Sequence, residues 1–156
     1  MLLLTLSVAC ADRSDKGTAE RVLMIDPAAF VELSREQGRA PASILRMGPQ
    51  IELRLPEDEA VFQADEPVAV HLKFLSAADG SGPDMATLEV EVRQRKLGIW
   101  FGKDITDQVT PYIADTAIRI PKVDFHGHTG AFRFVVRIRD QQGRENEAQF
   151  SVTVEA

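Results

Sequence analysis

Residues 131–139, AFRFVVRIR, place Phe132, Phe134, Val136 and Ile138 at every second position, with Arg133, Arg137 and Arg139 between them. Side chains alternate across a strand, so this spacing gives one apolar and one basic face, whereas a helix would scatter the same residues around its axis. The period of two recurs along the chain. IELRL (51–55) aligns Ile51, Leu53 and Leu55, and VAVHLKFL (68–75) aligns Val68, Val70, Leu72 and Phe74. LEVEVR (88–93), AIRI (117–120) and AQFSVTV (148–154) repeat the pattern. Turn-forming residues separate these runs: Pro56, Asp79-Gly80, Gly82-Pro83, Gly98, the stretch from Asp124 to Gly130, and Asp140 to Gly143. Short alternating strands with one apolar face each predict an antiparallel sandwich.

The outward charges predict a strand pair. Glu89 and Glu91 leave one face of the 88–93 run, while Arg133, Arg137 and Arg139 leave one face of the 131–139 run. Opposite charges stabilise cross-strand neighbours, so these two strands are expected side by side, and the arginines then need no ligand to explain them.

A chain of 156 residues suits one modest core with an appendage. Its formal net charge of −6 and pI near 5.1 argue against a nucleic-acid partner, since phosphate neutralisation calls for excess Lys and Arg. At the N-terminus, MLLLTLSVACADRSDKG has an apolar run, Leu2 to Ala9, then small residues and a polar stretch from Asp12. Spanning a bilayer takes about 20 apolar residues, so residues 1–11 read as an export segment rather than a membrane helix. Ala9-Cys10-Ala11 fits ordinary signal cleavage, whereas LSVAC resembles a bacterial lipoprotein box with Cys10 as the lipidated residue, although Ser7 departs from that pattern. Both readings are open, and both are extracytoplasmic: periplasmic, lipid-anchored or secreted; no Lys or Arg precedes the apolar run, which leaves a third reading in which it is no signal. Contact with a membrane is expected only through a lipid on Cys10. As the single cysteine, Cys10 allows no intrachain disulfide.

Residues 12–47 read as an N-terminal extension. Asp26 can cap a helix, Pro27 suits its first position and Gly38 its end, so a short helix is expected over about 27–37, with Ala29, Phe30 and Leu33 on one face and a linker to follow. It would dock on its own domain or on a partner.

Over residues 48–156 the chain resembles bacterial immunoglobulin-like domains. Gly127-His128 before the alternating strand, and Asp140-x-x-Gly143-Arg144 before the last one, are similar to the end of such domains. The opening GPQIELRLPEDEAVFQADEPVAVHLKF (48–74) resembles their first two strands, and DITDQVTPYI (104–113) their middle segment. The fold implied is all-β: an immunoglobulin-like antiparallel β-sandwich of about seven strands, preceded by the short helix and linker. The function implied is a non-catalytic structural or protein-interaction module of the bacterial cell envelope, with an envelope or surface protein as partner.

Chemistry elsewhere in the chain is sparse. His126 and His128 flank one glycine and offer two ligands, with Asp124 the nearest oxygen donor, where a transition metal takes three or four converging ones. A metal-dependent enzyme using His126 and His128 is the remote alternative; the expectation is no enzyme, no metal and no cofactor. Ser76, Ser81 and Ser151 lie outside any nucleophile-elbow pattern, and Glu57, Asp58 and Glu59 read as a solvated turn. The binding candidates are Ile99, Trp100 and Phe101, between Gly98 and Gly102, where alternation must send either Trp100 or the Ile99/Phe101 pair outward. That strip is expected on an edge strand without guarding charges, where a partner protein could dock. Trp100 also raises a second function, a carbohydrate-binding module. With one Trp and one Tyr the chain offers few aromatic platforms, which favours a protein partner.

Overall fold

The computed structural model describes residues 21–34 and 48–156. Leu2–Cys10, the lipidation candidate included, and the linker before Gly48 lie outside the described residues. Eleven strands form: β1 (Val22–Met24), β2 (Val31–Glu32), β3 (Gln50–Leu55), β4 (Ala60–Gln63), β5 (Val68–Leu75), β6 (Pro83–Lys96), β7 (Ile99–Asp104), β8 (Ile113–Ala114), β9 (Ala117–Asp124), β10 (Gly130–Asp140) and β11 (Glu145–Glu155). They make two sheets. One runs β1-β9-β5-β3, with β8 added on β9; the other runs β2-β7-β6-β10-β11-β4.

The apolar faces read from the sequence meet between the sheets, except at Leu55, which a register shift after Leu53 leaves 50% exposed. Phe74, Val92, Phe132, Val136, Ile138 and Val152 are each at most 1% exposed. Phe134 stacks on Phe150 at 4.9 Å, and Phe125 meets Phe132 at 4.4 Å. The charge-based pairing is present: β10 lies antiparallel to β6 with Arg137 opposite Glu89.

Three expectations are corrected. The described residues form eleven strands, not about seven, because strands of two to four residues carry too little periodicity to read. The sandwich is not wholly antiparallel: β1 runs parallel to β9, and β4 parallel to β11. The helix expected over 27–37 is a single 3-10 turn, Pro27–Ala29, and residues 35–37 lie outside the described residues. Its start is as expected, with Asp26 accepting from the Ala28 N–H at 3.0 Å and Pro27 in the first turn. Phe30 then turns extended, and Val31 and Glu32 pair with Gly102 and Phe101 of β7. Three helical turns alone are marginal, so a sheet edge offering backbone partners wins. Upstream, Leu23 and Ile25 are 4% and 1% exposed within the core. Residues 21–34 therefore contribute a strand to each sheet.

The 104–113 segment forms a short helix, α1 (Thr106–Val109), and a 3-10 turn, Thr110–Tyr112. Asp104 accepts the Thr106 N–H at 2.8 Å, and Ile105 and Val109 plug the core at 2% and 1% exposure.

Candidate functional site

Register fixes where the three sequence-derived binding residues point. Trp100 of β7 is opposite Arg95 of β6, and Phe101 is opposite Gln94. Gln94 is buried and its neighbour on β10 is Phe132, so Phe101 turns toward the core side, whereas Trp100 joins the outer face of the six-stranded sheet. Alternation thus separates the strip. Phe101 is half-buried, Ile99 is 42% exposed beyond the end of the core, and Trp100 lies half-buried among long polar side chains. The strip is not an unpaired edge, which corrects that expectation. β2 takes the outer position, and the Leu33 N–H donates to the Trp100 carbonyl at 2.8 Å.

The outer face carries rows of arginine and carboxylate. Arg93 binds Glu91 at 2.8 Å, Arg137 binds Glu147 at 2.6 Å and reaches Glu91 and Glu89, and Arg139 meets Glu145 at 3.4 Å. Burial opposes the charge on Arg137, but Glu147 outweighs it, with Glu91 and Glu89 adding to the effect, and the guanidinium pKa rises above its ordinary value. Arg137 thus has the cross-strand carboxylates that the sequence pattern implies and Arg139 finds one in Glu145, whereas Arg93 pairs within its own strand and Arg133, expected opposite Glu89 or Glu91, lies opposite Arg93 instead.

At one end of the face the pattern changes. The Arg133 guanidinium lies over the Trp100 indole at 4.4 Å and Arg95 at 5.9 Å. The adjoining β6–β7 turn projects Leu97 wholly into solvent, with φ of +50° at Leu97 and +79° at Gly98. Positive φ at both central positions marks the tight hairpin turn that usually begins with Asn, Asp or Gly. A fully exposed leucine in that left-handed conformation pays both in backbone strain and in apolar hydration. The exposure of Leu97 follows from the turn geometry.

The histidines sit elsewhere, in the turn between β9 and β10. Asp124 accepts the His126 N–H at 2.8 Å, the His128 N–H donates to Phe125 O at 3.0 Å, and the rings stack at 6.3 Å between centroids. His128 Nε2 is 3.7 Å from the Asp26 carboxylate, tying the turn to the residue that caps Pro27–Ala29. Among the described residues no three His, Cys, Asp or Glu side chains converge as a metal site. Nor is any described helix long and apolar enough to cross a membrane. Just past this turn Gly130 has φ of +121°, and a Cβ there would lie 2.8 Å from Gln94 Nε2, which accounts for glycine at the start of β10.

No family model matches the chain, and no curated protein matches it. Among solved structures it is similar to the crystal structure of CopC from Methylosinus trichosporium OB3b, with a TM-score of 0.41 and 15% identity. That match covers 68% of this chain and 94% of the other.

Proposed function

We propose that this protein is an immunoglobulin-like module working outside the cytoplasm, where it binds another protein and carries out no catalysis of its own. Strand order supports the immunoglobulin-like reading. β3 and β9 flank β5 in one sheet, β6 and β11 flank β10 in the other, and the chain switches sheets between β3 and β4. The apolar run Leu2 to Ala9 supports export, by ordinary cleavage or with a lipid on Cys10.

The observation that carries the binding function is the β6–β7 turn. Leu97 stands wholly exposed on a two-residue turn beside the outward Trp100, a small apolar anchor of the kind protein interfaces bury at their centre. A carbohydrate platform is less well supported, because Arg133 already lies over the indole ring that a sugar would stack on. The test is a photo-crosslinking amino acid placed at position 97 in cells of the source organism, with position 73 on the other sheet as control. A discrete protein adduct from 97 alone supports the function. Equal labelling from both positions, or none, refutes it.

A further inference from the structure

The two arginines at Trp100 differ from the other three on their face. Arg93, Arg137 and Arg139 each have a carboxylate within 4.0 Å. For Arg95 and Arg133 the described residues supply the indole and no carboxylate. An arginine stacked on an aromatic ring keeps its N–H fork free in plane, and the fork matches a carboxylate in bidentate geometry. The ring therefore holds two guanidinium groups ready to donate. Formal net charge is −6, so attraction for an anion here comes from this local patch rather than from the molecule as a whole.

From this we infer that Arg95, Trp100 and Arg133 form a binding site for an acidic peptide segment of a protein partner, with Leu97 of the adjoining turn as the apolar contact. This rests on the protein-binding function proposed above and names the chemistry of the partner. The exposed Leu97 selects a polypeptide over an acidic polysaccharide, because a peptide brings apolar side chains alongside its carboxylates. Electrostatic pairing at such a rim sets orientation and association rate, while the aliphatic contact adds desolvation.

Trp100 is the single tryptophan of the chain, so its fluorescence reports the site directly. The experiment titrates the full chain with a blocked hexaglutamate peptide at low salt, beside hexalysine and an oligogalacturonate of equal charge. The expected result is a saturable emission change with hexaglutamate, absent with hexalysine and suppressed by added salt. Arg95→Gln with Arg133→Gln should weaken it about tenfold or more. Arg95 is exposed, so Arg95→Gln alone, folded by circular dichroism, should already weaken binding measurably and keeps the test readable if the double variant unfolds. Three outcomes overturn the inference: no saturable change, a change that survives in the arginine variants, or tighter binding of oligogalacturonate. If a discrete adduct forms at position 97 in cells while hexaglutamate fails, the acidic-peptide chemistry falls and the protein-binding function stands.

Discussion

Asp140 and Arg144 are joined twice: the Asp140 carboxylate accepts the Arg144 backbone N–H at 2.9 Å and its guanidinium Nε–H at 2.7 Å. Arg144 also reaches Asp79 at 2.7 Å, so the β10–β11 turn is tied to the loop between β5 and β6. Burial raises the Asp140 pKa, but donors from Arg144 and Gln142 outweigh it and leave the carboxyl below its ordinary value. At Asp79 the Arg144 hydrogen bond leads the same downward shift. Groups with depressed pKa contribute stability in full above the unfolded aspartate value of about 3.9 and lose it as pH falls through the folded value. Arg144→Leu should therefore lower Tm at neutral pH and converge with the wild type in acid. A Tm gap that stays constant down to about pH 2 would show that the ion pairs contribute nothing.

The N-terminal strand makes a second test. Ile25 is 1% exposed and Met24 is 44% exposed on the same short segment. Ile25→Ala should cost about 2–5 kcal/mol by loss of burial and creation of a cavity, whereas Met24→Ala should stay within about 0.5 kcal/mol. Urea unfolding of the two variants measures the difference. Equal, small effects would mean that residues 21–34 add little to the core.

Leu97 offers a case where stability and function should part. Leu97→Asn puts a residue at ease with positive φ into the turn, and should stabilise the fold by about 0.5 kcal/mol while removing an exposed apolar side chain. Crosslinking from a probe at neighbouring position 99 should fall in the same variant. Raised stability with unchanged crosslinking would free Leu97 from any part in binding.

Trp100→Ala is expected to cost only about 1–2 kcal/mol, the loss of the Arg133 stacking and of partial burial, compared with about 3–5 kcal/mol for Phe132→Ala in the core. Denaturant midpoints of both variants decide between an outer-face and a core role for the indole.

At the histidine turn, His126 holds φ of +54°, so His126→Gly should stabilise modestly, by about 0.5–1 kcal/mol, the relief of left-handed strain less the greater unfolded-state entropy of glycine. His126→Ala with His128→Ala should leave metal content unchanged through dialysis. Stoichiometric zinc or copper in the wild type, lost from that variant, would restore the metal-enzyme alternative.

Local alternation is enough to specify the central sheets. Alternation over five or more residues fixes which face is buried, because a one-residue slip would expose every apolar side chain, and the opposed charges of Glu89, Glu91 and Arg137 were enough to pair β6 with β10. Trp100, Ile99 and Phe101 were legible as an apolar strip, but their division between faces was not. That depended on the register of β7 against β6, set by a two-residue turn carrying leucine where turn chemistry predicts a polar residue or glycine. Val22–Met24 and Val31–Glu32 owe their places to long-range pairing. Segments of two or three residues have no period to read, and Asp26-Pro27 starts a helix as readily as a single turn. What chose the turn was non-local. The unpaired backbone of β9 and β7 needed hydrogen-bond partners, the core had room for Leu23 and Ile25, and neither fact is written in residues 21–34.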